Sequence, residues 1–297
     1  MYKVRATELN LRSAPRAVPS NRIAVLPRGH VVELLEVVDS DWSRVRTQLT
    51  GMSVTGYVAS AFLVEADELP ELAAANALVP VHLLSQSPVK RSMAGRRAFA
   101  LNETNLPRRD ASAPSEKARE LIAIVKWLRV DQSARYLPSG STTFCNIYAY
   151  DYCYLGNAYL PRVWWSAKAI SALLQGQRVE AVYGQTVYEQ NANGLHRWFQ
   201  EFGPTFGWRR TVDLTALQDA ANTGAVCLIS GQRVDLNTPG HICAVVPESG
   251  NHRATRLQSG EVKVPLQSNA GASNFQFGGK AWWTAAKFKS FSFWICD

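Results

Sequence analysis

Nothing in the 297-residue chain approaches 18 uninterrupted apolar residues; even the run Leu121 to Leu128 is broken by Lys126, which excludes a membrane-spanning helix. The N-terminal stretch MYKVRATELNLRSAP lacks the apolar core and the small-residue cleavage site of a secretory signal. The chain is therefore expected either to be cytosolic or to leave the cell by a route that reads no such signal. Its five cysteines, at 145, 153, 227, 243 and 296, form no CxxC pair and no Cys/His spacing of the zinc type, so no structural metal is expected. An odd count leaves at least one thiol unpaired. Charged residues are scarce, at 19%, yet 32 Lys+Arg against 24 Asp+Glu leave a net charge of +8. That excess favours an anionic partner: nucleic acid, a membrane surface or bacterial cell wall. The length suggests two domains, at roughly 150 residues each.

The first 66 residues read as short strands. Val31 to Val38, Trp42 to Val45 and Gly56-Tyr57-Val58 are separated by Pro27-Arg28-Gly29, Asp39-Ser40-Asp41 and Gly51, the rhythm of a small all-β unit. The motifs run Leu9-Asn10-Leu11-Arg12-Ser13-Ala14-Pro15, Leu26-Pro27-Arg28-Gly29, Asp41-Trp42-Ser43-Arg44-Val45, Thr55-Gly56-Tyr57-Val58 and Phe62-Leu63. This order resembles the bacterial SH3-like domain over about residues 3 to 65, with Ala14 in place of the usual glycine and Tyr57 in place of the usual tryptophan. The resemblance implies a module that attaches an enzyme to cell wall or to another protein.

Residues 67–114 read as a linker or extended connector that continues as a strip along the next domain: acidic from Glu65 to Glu71, alanine-rich from Ala73 to Ala77, then basic with Lys90, Arg91, Arg96, Arg97, Arg108 and Arg109. A solvated charged connector is the plainer reading of that basic cluster; contact with an anionic polymer is the other. From Ser115 the period becomes helical, with Ala118, Leu121, Ile122, Val125 and Leu128 on one face, Ser115 as cap and an end near Val130. Further helices are expected just after Thr143, over Arg162 to Leu174, over Gly194 to Phe202 with Gly203 as stop, and over Leu214 to Asn222 with Asp213 as cap. Ala225 to Ser230, His241 to Val246, Val262 to Gln267 and Phe291 to Cys296 read as strands. Helices followed by a sheet argue an α+β class for residues 115–297.

Three elements carry chemistry. With Thr142 or Thr143 as cap, Cys145 lies in the first turn of a helix, where free N–H groups and the helix dipole stabilise a thiolate; the plain alternative is a small buried hydrophobe. His241 follows Pro239-Gly240 and opens a strand, a rigid seat for the base that such a thiol needs; it is equally a place for a structural histidine. Gln267 and Asn269, on or just after the next strand, point to one face, and either amide oxygen suits the far nitrogen of an imidazole. Either amide also suits closure of the turn before Gly271. Tyr148, Trp164 and Trp165 are mainly core candidates, with a few of the aromatics available to line a substrate groove. Cys227 and Cys243, on neighbouring strands, are either a disulfide or two buried thiols.

The order of cysteine, Gly-His and polar amide resembles the papain-fold peptidases of bacterial cell walls, the NlpC-like and CHAP-type amidases and endopeptidases. The resemblance implies Cys145 as nucleophile, His241 as base and Asn269 as orienting residue with Gln267 as rival. CHAP enzymes often show E-x-N where this chain has Gln267-Ser268-Asn269, while the context of Cys145 departs from D-C-S-G and from C-T-x-Y. It further implies a peptidoglycan hydrolase that cleaves an amide of the peptide stem, with no cofactor, acting in the periplasm or at the wall. Without a signal, such an enzyme is a phage lysin released through a lesion, an effector injected by a secretion apparatus and countered by an immunity protein, or a chain whose signal was removed. A non-catalytic wall-binding or interaction module is the alternative. No nucleic-acid module accompanies the basic residues, and no membrane insertion is expected.

Overall fold

Residues 1–6, 8–18, 21–49, 52–66 and 78–297 are described by the structure, a computed structural model, in two units, Met1–Ala77 and Leu78–Asp297. In the first, β1 (Tyr2–Val4), β2 (Glu8–Arg12), β3 (Arg22–Pro27), β4 (Val31–Val37), β5 (Trp42–Leu49), β6 (Met52–Ala59) and β7 (Leu63–Glu65) pair antiparallel in the order β3-β2-β6-β5-β4-β1-β7. Period two decides what is buried: along β5, Ser43, Val45 and Thr47 turn inward while Arg44 and Arg46 face solvent. Val4, Leu9, Leu11, Leu26, Val32, Val45 and Val58 make the core. Gly56 has no substitute, because a Cβ there would stand 2.7 Å from the carbonyl oxygen of Arg12. The expected turn at Gly51 and the stretch 67–77 lie outside the described residues.

The second unit begins as a strap, residues 78–113, without regular secondary structure. Leu78, Val81, Val89 and Leu101 on it are buried in the core of this unit. Its basic residues are not simply solvated, which corrects the reading of a charged connector. Arg97 Nε donates to the Arg135 carbonyl at 2.8 Å and Arg108 Nη1 to the Tyr154 carbonyl at 2.6 Å. Arg109 Nη1 reaches the Gly224 carbonyl at 2.6 Å, and the Arg91 guanidinium lies 3.7 Å from the centroid of Trp127. An arginine fork can satisfy carbonyls that an irregular backbone leaves unpaired, which a point charge in solvent would not do.

There follow α1 (Pro114–Leu128), α2 (Cys145–Leu155), β8 (Val163–Trp165), α3 (Ala167–Leu174), β9 (Val187–Glu189), α4 (Ala192–Glu201), β10 (Arg209–Thr211) and α5 (Leu214–Asn222). The remainder is strands: β11 (Val226–Arg233), β12 (His241–Val245), β13 (Thr255–Arg256), β14 (Val262–Val264), β15 (Gln267–Asn269), β16 (Phe275–Gly278) and β17 (Phe288–Cys296). An all-β sheet followed by helices and then an antiparallel sheet is the expected α+β architecture. Details differ for local reasons. Ala113, not Ser115, caps α1, because Pro114 is pre-set for the first helical position. Residues 163–165 pair with β9 instead of opening a helix, as a valine and two tryptophans favour, and α3 starts only after Ser166, whose Oγ accepts from the Ala169 N–H. The strand expected over 262–267 is split at Pro265, which has no N–H to donate.

The main sheet runs β10-β17-β11-β12-β15-β16, antiparallel throughout. Leu228, Ile242, Ala244 and Trp294 share one core cluster with α2, whereas Cys227, Ile229, Cys243, Val245 and Phe293 share another with Leu217 and Ala221 of α5. Cys227 and Cys243 are free buried thiols, which settles the disulfide alternative. α2 is the central helix: nine of its 11 residues are buried, Asp151 among them. That carboxylate is met by Arg135, Nε to Oδ2 at 2.6 Å and Nη2 to Oδ1 at 3.2 Å, and by the Tyr136 hydroxyl at 2.9 Å. Arg135 and Asp151 are both fully buried. Replacing either alone, as in Asp151→Ala or Arg135→Met, leaves an uncompensated charge and should cost about 3–5 kcal/mol in urea unfolding; the double replacement should cost clearly less than the sum of the two.

Candidate active site

Cys145 is the first residue of α2, and the helix there has no side-chain cap: Phe144 occupies the cap position and makes no such bond. Thr142 is instead tied into a tight hairpin, exchanging backbone hydrogen bonds with Ser139 across Gly140. The expected threonine cap is thus replaced by an open helix end. The Ile147 and Tyr148 N–H groups bond the Phe144 carbonyl, and among the described residues those of Cys145 and Asn146 have no backbone acceptor. Cys145 is 4% exposed at the base of a cleft of about 380 Å³ lined also by Thr142, Thr143, Asn146, Asn191 and Pro239. Burial pushes its thiol above the ordinary range, while backbone hydrogen bonds from Ile242, Asn146 and Cys145 itself pull the other way. The bond with Ile242 ties the sulfur to the residue that follows His241.

His241 opens β12 directly after Gly240, where no other residue fits: a Cβ would lie 2.5 Å from both the Gly231 carbonyl and Asn193 Oδ1. Its Nε2 meets Asn269 Oδ1 at 2.8 Å. Asn269 Nδ2 donates to the Ser273 carbonyl at 3.0 Å, which orients the amide so that its oxygen faces the imidazole. Nε2 must therefore carry the proton, leaving the lone pair on Nδ1, which has no hydrogen-bond partner among the described residues. Trp282 stands edge-on to the ring, with centroids 4.5 Å apart. Desolvation by this packing takes the imidazole from an ordinary 6.5 to about 4; Lys287 and Arg233 also disfavour its charged form, and the Asn269 bond opposes both effects.

Of the two amides proposed to orient His241, the structure brings only Asn269 to it. Gln267 is fully buried elsewhere: its Oε1 accepts from the Cys243 thiol at 3.5 Å and its Nε2 donates to the Lys280 carbonyl at 3.0 Å. Tyr148, Trp164 and Trp165 do not line the cleft. Tyr148 is fully buried with its hydroxyl 2.5 Å from Ser268 Oγ, linking α2 to β15, and Trp164 packs among Trp198, Phe202 and Phe206. Trp165 donates to the Val79 carbonyl at 3.3 Å. Asn146 and Asn191 escaped the sequence reading of the site, since their places depend on tertiary packing with no spacing to mark it. Among the described residues no three His, Cys, Asp or Glu side chains gather as a metal site requires, and no helix is long and apolar enough to cross a membrane.

Comparison with known proteins divides along the chain. The family model of the bacterial SH3 domain matches residues 7–64, so the N-terminal unit carries a bacterial SH3 domain. No curated protein matches. Among solved structures, NlpC2 from Trichomonas vaginalis is similar at 10% identity, covering 94% of this chain and 70% of that one, with a TM-score of 0.19, a level that carries no argument about the second unit.

A second histidine shares the depressed pKa. His196 on α4 is 1% exposed, its Nδ1 2.9 Å from Ser230 Oγ and its Nε2 3.0 Å from Ser290 Oγ, and burial takes it to about 4. The unfolded chain binds that proton near 6.5, so the contribution of a neutral His196 is present above 6.5 and is lost as pH falls toward 4. The loss should be on the order of 3 kcal/mol over that window. Chemical denaturation at pH 7 and pH 4.5 should show it, with His196→Gln losing less stability than wild type over the same interval.

Proposed function

We propose that the second unit is a cysteine hydrolase of bacterial cell wall, cleaving an amide of the peptidoglycan stem, and that the SH3 domain attaches it to that polymer. The observation that carries the reading is the Asn269-held imidazole with its free Nδ1, one residue from the backbone that bonds the Cys145 thiol. Nδ1 takes the thiol proton, sulfur attacks the carbonyl carbon, and the head of α2 offers the Cys145 N–H to the developing oxyanion. The imidazolium then passes its proton to the leaving amine, and a water deprotonated by Nδ1 hydrolyses the thioester. Because the thiol is raised and the imidazole lowered, the resting pair is neutral, and His241 acts as a general base instead of one half of a standing ion pair. Bacterial SH3 domains commonly bind peptidoglycan, which supports the substrate class.

Purified sacculi test the reading. Wild type should release soluble fragments detectable by mass spectrometry, Cys145→Ala should lose at least about a thousandfold, and Asn269→Ala about a hundredfold. Equal release by wild type and Cys145→Ala would sink it. The acid limb of kcat/KM should lie well below pH 6.5, near the imidazole's value of about 4, since only the neutral ring can accept the proton.

One observation favours a non-catalytic wall-binding module: Cys145 is nearly covered and its thiol is raised. That reading expects sacculus pull-down to survive Cys145→Ala and no fragments from wild type.

A further inference from the structure

Two cations, Arg233 and Lys287, lie close to the Phe288 ring, and among the described residues neither meets a carboxylate. Arg233 ends β11 at an irregularity in its pairing with β17, opposite Phe288. Asn193, buried in α4, folds the following turn back: its Oδ1 accepts from the Arg233 N–H at 3.1 Å, and its Nδ2 donates to the Thr238 carbonyl at 2.9 Å. Thus held, Arg233 Nε donates at 3.0 Å to the carbonyl of Pro239, a residue that lines the cleft with Cys145. The guanidinium carbon lies 5.4 Å and Lys287 Nζ 5.7 Å from the centroid of the same Phe288 ring, so two cations converge beside one aromatic. Both act on His241 by repulsion. Asp235, the nearest acid along the chain, accepts from the Asn237 N–H through Oδ1, and among the described residues neither cation has an ion-pair partner. None of the residues that line the cleft is charged, and Arg233 approaches it through the Pro239 carbonyl.

An arginine whose Nε is fixed to a carbonyl still offers its two terminal nitrogens, a fork that matches a carboxylate, and a lysine alongside adds a second donor. We propose that Arg233 and Lys287 form a carboxylate-binding subsite that selects stem peptides carrying a free carboxylate next to the scissile amide. The proposal rests on the hydrolase reading and names what that site prefers. The neutral cleft lining then takes the uncharged part of the substrate, and a carboxylate is drawn past Pro239 toward the two cations.

Two synthetic stem peptides, identical except for a free carboxylate or a carboxamide beside the scissile bond, test it. Wild type should favour the carboxylate by about tenfold or more in kcat/KM, as a charge-assisted pair allows. The preference should shrink with added salt, fall partly in Lys287→Gln and approach one in the Arg233→Gln/Lys287→Gln double variant. Equal turnover of the two peptides by wild type, or a full preference kept by the double variant, overturns the subsite. Calorimetric binding of both peptides to Cys145→Ala protein separates this from the chemistry. If no peptide is cleaved yet the carboxylate form binds more tightly, and that advantage vanishes with the double substitution, the subsite stands and the hydrolase reading falls. Equal binding of the two peptides rejects the subsite whatever the turnover. NMR titration of His241 provides a check on position: removing both cations should raise its pKa, and an unmoved titration would place them too far away to act there.

Discussion

A carboxylate inside the central helix is the constraint around which the second unit is arranged. Asp151 is fully buried on a helix that is apolar on nearly every side, and an isolated charge there would cost several kcal/mol. Arg135 and Tyr136 meet it, but bringing Arg135 inside creates a second desolvated charge with donors left over. The strap supplies what is missing: the Phe99 carbonyl accepts from Arg135 Nη2 at 2.9 Å, and Arg97 of the same strap donates back to the Arg135 carbonyl. The Arg97 guanidinium also lies 3.6 Å from the centroid of Phe144, the residue before Cys145. One buried charge thus ties an irregular segment to the helix and reaches to the turn that presents the thiol.

The other half of the site is held from the sheet. Tyr148, one turn along α2 from Cys145, bonds Ser268 on β15, and Asn269 follows Ser268 on the same strand. Helix, orienting amide and imidazole are therefore connected through a short series of hydrogen bonds in the core. The electrostatics follow from the burial that makes this rigidity possible. Packing that fixes the ring also strips it of water, and with a buried thiol the balance falls on the side of two neutral groups. Rigidity here comes at the expense of a preformed thiolate.

Much of this was legible in the chain. Period two in residues 225–230 and 241–246 and the helical period from Ala118 to Leu128 give the order of elements, because burial on one face of a strand or helix leaves a direct mark on hydropathy. His241 after Gly240, and an amide on the next strand, were readable for the same reason: strand ends are marked by glycine and proline. The choice between Asn269 and Gln267 was not, since both point to one face, and only Ser273, Lys280 and Cys243, which meet them across loops and strands, decide which amide faces the ring. Tyr148, Trp164 and Trp165 misled because an aromatic beside a candidate site motif looks the same in sequence whether it fills a core or lines a groove. For the strap, an extended strip along the next domain was readable, but the work of its arginines was not. A run rich in arginine and proline has the composition of a solvated linker, and only the carbonyls it meets make it structural.

The same point bears on the net charge. An excess of +8 in a chain with few charged residues suggests a positive surface, yet Arg91, Arg97, Arg108, Arg109, Arg135 and Arg162 spend their donors or their planar faces on carbonyls, aromatic rings and buried acids within the second unit. Arg162, 4% exposed, is even pulled down to about 10 by desolvation. Counting charges in the sequence therefore overstates what a polymer outside would feel. What matters is where a cation stands without an internal ion-pair partner, and among the described residues Arg233, bonded to the Pro239 carbonyl at the cleft, and Lys287, near the same Phe288 ring, meet that condition. Because field strength in a cleft with low-dielectric walls depends on a few near charges more than on a distant total, two placed cations can govern orientation where a diffuse excess governs only approach.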